Sequence, residues 1–167
     1  MKLDKYTQKS QEAILRAQEI ARDLNHQALE PAHLLLALLR QEEGIVPAIA
    51  TKVAGSVQAL QSEVQTELNE HPKIQGAGVE VGLAPTTDDV LGAAERYAKG
   101  MQDDYVSTEH LLLGLTDSIE GKRLASHGLT KDAILSALKS VRGSQRVTTQ
   151  DPESTYQALE KYGRDLT

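Results

Sequence analysis

The sequence predicts an all-α fold in which two pseudo-repeats of a four-helix unit pack as one globular domain. Three observations predict it. The hexapeptide HLLLAL beginning at His33 returns as HLLLGL at His110, an offset of 77 residues. Outside the hexapeptide the same offset carries Ala17 onto Ala94, Ala21 onto Ala98, Leu24 onto Met101 and Gly44 onto Gly121. Apolar residues recur at helical rather than strand spacing in both copies. The expected organisation is a duplicated domain over residues 1–145, with repeat one over about 1–70 and repeat two over about 84–145, and a linker over 146–167.

Each repeat is expected to open on an amphipathic helix. In the first, Ala13, Ile14, Ala17, Ile20, Ala21 and Leu24 share a face, and Glu12, Arg16, Glu19 and Arg22 share the other. Thr7 is its natural cap, because a hydroxyl before the first turn accepts from a free backbone N–H. Val90, Leu91, Ala94, Tyr97, Ala98 and Met101 form the matching stripe in repeat two. The repeated hexapeptide opens the second helix. Pro31 suits its first position, where a missing N–H costs nothing, and Ser107 takes the N-cap slot in the other copy. Leucines surround most of its circumference, so it belongs in the interior.

A short third helix is expected after Gly44 and after Gly121. From there the offset shortens to 75, which lays IATKVAGSVQAL from Ile49 over LASHGLTKDAIL from Leu124. The fourth helix carries Val57, Leu60, Val64 and Leu68 in one copy. Ala133, Ile134, Ala137, Leu138 and Val141 carry it in the other. Between the copies, Pro72, Gly76, Gly78 and Gly82 interrupt regular structure and mark a loop. After Arg142 the stretch GSQRVTTQDPEST is polar and suits an exposed linker; YQALEKYGRDLT beyond it could start another helix leading toward a further module.

Composition narrows the function. With 18 Lys+Arg against 24 Asp+Glu the net charge is −6, which disfavours a phosphate backbone, and five Tyr without Phe or Trp give little to stack on bases. No nucleic acid is expected. There is no cysteine, so thiolate metal sites and Cys nucleophiles are excluded, and a reducing cytoplasm fits. No run approaches membrane-spanning length, and no membrane contact is expected.

Catalytic motifs are missing. The two histidines show no H-E-x-x-H spacing and no ligand-type acidic neighbours, so each imidazole is expected to bond locally in the first turn of its helix rather than hold a metal. Gly121-Lys122 is followed by Arg123, and the Gly76–Gly82 run lies between repeats, so neither is a phosphate loop. No G-x-S-x-G elbow exists. No catalytic residue, metal or cofactor is expected in this stretch of chain. What remains is surface. MQDDYVSTEH sets Asp103, Asp104 and Glu109 around Tyr105 and Val106, a combination that could hold a peptide with basic and apolar side chains. The plainer reading is that Glu109 favours a helix start and the aspartates solvate a loop, and sequence physics leans that way.

The paired motifs QALEPAHLLLALL and YVSTEHLLLGL, the opening KYTQKSQEAILRAQEIA and the closing ALEKYGRDLT resemble the N-terminal domains of Clp ATPases, more the disaggregase branch than the protease-linked one. The resemblance implies a helical domain that recognises unfolded or aggregated polypeptides and delivers them to a hexameric, cytoplasmic ring. That ring would use ATP and magnesium and cooperate with the DnaK chaperone system, and the fragment alone would be a monomer. It implies substrate contacts at Thr7, Asp103 and Glu109, with Leu91 and Tyr105 as apolar neighbours. Two departures stand out. Gln102 occupies a position where the family often has Gly, and Ala84 stands where a counterpart of Thr7 would be, so the site is expected to be asymmetric. The resemblance leaves open an adaptor-docking domain of a protease-linked Clp ATPase. From these readings a shallow groove is expected at the seam between repeats, binding extended apolar segments weakly.

Overall fold

A computed structural model describes residues 3–74, 80–143 and 147–150. Repeat one contains α1 (Gln8–Asp23), a two-residue strand β1 (Ala28–Leu29), α2 (Pro31–Leu39), α3 (Ile45–Ala54) and α4 (Val57–Asn69). Repeat two follows with β2 (Gly82–Leu83), α5 (Pro85–Gly100), α6 (Thr108–Thr116), α7 (Gly121–Ser126) and α8 (Lys131–Arg142). All eight expected helices are present. The stretch between repeats departs from the expectation of a plain loop, because Gly82 and Leu83 pair in parallel with Ala28 and Leu29.

Leucine placement decides where the core lies. Every residue of α2 is buried, as is α6 from Thr108 to Leu115, and these two helices pack on each other at the centre of one continuous apolar cluster. Full burial of a leucine contributes roughly 1.5–3 kcal/mol, which makes the repeated hexapeptide the main source of cohesion. The outer helices bury one face each: Ala13, Ile14, Ala17, Ile20 and Ala21 on α1, and Ile134, Ala137, Leu138 and Val141 on α8. Polar ties join the repeats further out. Arg123 of α7 reaches Glu63 of α4 at 3.2 Å and also pairs with Glu67.

The helix caps follow from residue chemistry. Thr7 Oγ1 accepts from the Ser10 amide at 3.2 Å, and Thr130 and Ser56 do the same for α8 and α4. α1 and α5 end alike. Asn25 (φ 58°) and Gln102 (φ 61°) adopt the left-handed conformation, and the amide of the next residue reaches back five positions, His26 to Ala21 and Asp103 to Ala98, at 2.8 Å in both. A left-handed residue here explains why glycine would suit the Gln102 position. The turn also aims the side chains of His26 and Asp103 at the start of the helix that follows.

The repeats exchange strands. Leu29 pairs with Leu83, and Tyr6 pairs with Val106, which is the same relationship carried through the 77-residue offset. Ala84 N donates to Leu29 O at 3.1 Å, and Thr7 N donates to Val106 O at 2.9 Å. Each repeat therefore supplies the segment before its first helix to the loop of the other.

Candidate functional site

The seam made by the Tyr6–Val106 pairing gathers most of the residues singled out in the sequence. Asp103 arrives from the turn after α5, His110 and Glu109 from the first turn of α6, Arg142 from the last turn of α8, and Thr7 from the cap of α1. Asp103 Oδ2 lies 2.7 Å from His110 Nε2, and Asp103 Oδ1 accepts from Arg142 Nη2 at 2.6 Å and from the Val147 amide at 2.9 Å. Burial on its own raises the Asp103 carboxyl. The bonds from His110, Arg142 and Val147 outweigh it and hold the group down at about 2. Glu109 is fully buried and forms a 3.5 Å ion pair with Arg142 Nη1, while neither of its oxygens accepts a hydrogen bond.

The surface patch read from MQDDYVSTEH is thus largely interior. Asp103, Val106 and Glu109 are buried, Tyr105 is half-buried and only Asp104 and Gln102 face solvent. Thr7 is buried at the cap it was expected to make, and Leu91 lies within the apolar cluster. The structure brings Thr7, Asp103, Tyr105 and Glu109 to one seam and leaves Leu91 on the buried face of α5. The physical reason for the correction is Arg142, whose approach from α8 draws both carboxylates inward. Nothing in the local sequence around Asp103 signals a partner at position 142.

A second correction concerns the stretch after α8, expected to be an exposed linker. Val147 is fully buried against the seam. Asp104 N donates to Val147 O at 2.7 Å, Gln8 N donates to Gln150 O at 2.8 Å, and Gln150 Nε2 donates to Asp4 O at 2.9 Å. The crease expected to be open is occupied by the chain's own residues 147–150, because Val147 has apolar surface to bury and the backbone has carbonyls to satisfy. The helix expected within Tyr156–Thr167 lies outside the described residues.

The equivalent place in repeat one holds different chemistry. His26 replaces Asp103, and its Nδ1 lies 2.7 Å from His33 Nε2. The expectation that each hexapeptide histidine bonds locally is met: His33 Nδ1 accepts from the Glu30 amide, and His110 Nδ1 from the Ser107 amide, at 2.9 Å in each. Burial, then His26 and His71, push His33 down to about 4. Among the described residues no group of three or more His, Cys, Asp or Glu is placed to hold a metal ion, and no helix is long and apolar enough to cross a membrane.

Two open grooves lie on the surface of the described residues. One, of about 510 Å³, runs between α1 and α2 with Leu15, 54% exposed, on its wall. The other, of about 270 Å³, runs between α5 and α6 with Ile119, 66% exposed, at its edge.

The family model for the Clp repeat N-terminal domain matches residues 5–132. The chain belongs to the Clp N-terminal domain family. Among its relatives, the chaperone protein ClpB of Clostridium tetani is 43% identical over 99% of this chain, and that of Bacillus cereus is 42% identical over 99%. The chain spans only 20% of the length of each. Solved Clp N-terminal domains share the fold. The Hsp104 N-terminal domain of Candida albicans superposes with a TM-score of 0.76 at 23% identity, covering 90% of this chain and 99% of that one. The N-terminal domain of the ClpV1 ATPase from E. coli gives 0.73 at 21% identity, covering 90% and 92%.

Proposed function

We propose that this chain is the substrate-recognition domain of a ClpB-type, ATP-dependent protein disaggregase. It binds exposed apolar segments of unfolded or aggregated polypeptides weakly and passes them to a hexameric ring formed by the remainder of its protein, in the cytoplasm and in cooperation with the DnaK system. The observation that carries this reading is the seam between repeats, where residues 147–150 are held through three of their backbone groups and one side chain. Backbone recognition is sequence-tolerant, as a receptor for unrelated unfolded proteins requires. Weakness follows from the small area and from the entropy an extended ligand loses. Thr7, Asp103 and Glu109 serve this reading by shaping the seam, with Tyr105 at its edge and Leu91 anchoring α5 in the core.

The test is a fluorescence-anisotropy titration of the full chain into labelled, reduced and carboxymethylated α-lactalbumin, a permanently unfolded protein. Saturable binding with Kd on the order of 10–100 μM is expected. No saturation at about 1 mM chain removes the reading.

A further inference from the structure

We infer that residues 147–150 are an internal ligand of the seam, and that an unfolded polypeptide carrying a small β-branched apolar residue binds by displacing them. The inference rests on the substrate-docking reading and adds to it the mode of binding and a built-in competitor.

Four contacts define what the seam recognises. The carbonyls of Val147 and Gln150, three residues apart on a segment that bends at Thr149 and Gln150, accept from the amides of Asp104 and Gln8. The Val147 amide donates to the Asp103 carboxylate, and the Val147 side chain is fully enclosed. The last of these, and the Gln150 carboxamide on Asp4 O, depend on which side chains the segment carries. Any polypeptide able to take the same bend offers the same carbonyls and N–H, whatever its side chains. A Val, Ile or Thr in register would fill the enclosed position, whereas a charged residue there would be desolvated without a partner.

The receptor side persists without the segment. Tyr6 and Val106 pair with each other, Asp103 remains fixed by His110 and Arg142, and the Thr7 cap belongs to α1. Glu109 adds unused capacity at the same place, since both its buried oxygens lack a hydrogen bond. The internal segment is short and mostly polar, so it holds the seam by proximity rather than by strength. An intramolecular occupant lowers the apparent affinity of an external one by the fraction of time the seam is free. The seam is thereby covered when no client is present and opens to one in excess.

This assigns the family-implied contacts a role compatible with their burial. Asp103 and Thr7 meet a client only after the segment has left.

The experiment is amide hydrogen exchange by NMR on the full, uniformly labelled chain, with and without reduced and carboxymethylated α-lactalbumin. The client is expected to strip protection from the Val147 amide while the Gln8 and Asp104 amides stay protected, their acceptors now supplied by the client. Val147→Asp, which destabilises the internal segment alone, should tighten client binding by about tenfold with the helical circular dichroism unchanged. Saturable binding with the Val147 amide still protected overturns the inference and leaves docking to lie elsewhere, in the helix grooves. Exposed Asp104 and Gln8 amides in Val147→Asp without tighter binding also overturn it. If Val147→Asp unfolds, the wild-type exchange pattern decides. Absence of any saturable binding removes the docking reading, and this inference with it.

Discussion

His33 and His26 share a hydrogen across 2.7 Å, and 77 residues later His110 and Asp103 stand at the same distance in the same roles. The tautomers follow from the surrounding donors. The Glu30 amide donates to His33 Nδ1, so the neutral ring carries its hydrogen on Nε2 and gives it to His26 Nδ1. His26 then bears its own hydrogen on Nε2, on the side of the ring away from His33. A further proton on either ring has nowhere to go without breaking the shared bond or the cap of α2. His26 is lowered by burial first, then by His71 and Lys73, so the neighbours add positive rather than negative charge. In repeat two, Asp103 supplies a carboxylate instead.

The first prediction is acid sensitivity seated in repeat one. The folded chain holds His33 at about 4 against 6.5 unfolded, so the unfolded chain binds more protons as pH falls. The contribution of His33 is therefore full above pH 6.5, declines between 6.5 and 4, and reaches a loss of about 3 kcal/mol below that window. Asp103 acts lower, its contribution being lost only as pH falls from 3.8 toward about 2. Urea unfolding at half-unit steps from pH 7.5 to 4 measures the slope. His33→Gln is expected to be less stable at pH 7 but to lose most of the slope; an unaltered slope would place the titrating group elsewhere.

A second prediction separates structure from recognition at Asp103. Asp103→Ala leaves Arg142, His110 and the Val147 amide without their common acceptor, in a site closed to water. Breaking a buried ion pair of this kind costs about 3–5 kcal/mol, which denaturant unfolding at pH 7 should report. A surface contact made only with a client would cost nothing in that experiment. Binding studies of Asp103→Ala therefore require a folded fraction measured under the same conditions.

The helices were legible because their signals are local: apolar spacing, Thr7 and Ser107 caps, Pro31 at a first turn. The duplication was legible because one offset carries Asn25 to Gln102 and His33 to His110. The seam was not, since its defining contacts join Asp103 to Arg142 and Gln8 to Gln150, pairs far apart in the chain with no shared motif. Acidic residues next to Tyr105 read as surface for the same reason. Their buried cation lies on another helix. Nor does a two-residue strand such as Gly82–Leu83 carry enough pattern to stand out from a glycine-rich loop.

A third prediction concerns the closeness of α5 and α6. A Cβ on Gly114 would lie 2.7 Å from Val90 O and 3.3 Å from Ala94 N, both backbone atoms that cannot swing aside. Repeat one pairs Ala37 with Ala13 at the equivalent positions, so repeat two offsets its bulkier valine with a glycine. Gly114→Ala should force the helices apart and cost about 1–3 kcal/mol despite the better helix propensity of alanine. A thermal melt showing stabilisation would mean that α5 shifts freely.

The fourth prediction decides between the seam and the helix grooves as the place where clients dock. Leu15 and Ile119 are the most exposed large apolar side chains among the described residues, and each lies in one groove. If clients used those grooves, a charge at either place would desolvate against them and weaken binding by tenfold or so. The seam reading requires otherwise, because neither groove is lined by the Val147–Gln150 segment or by its partners Asp4, Gln8, Asp103 and Asp104. Leu15→Asp and Ile119→Asp are thus expected to keep stability within about 0.5 kcal/mol and client affinity within about twofold, by melt and by anisotropy. A tenfold loss in one variant alone would assign docking to that repeat's groove, and a loss in both would make the duplicated grooves a paired receptor.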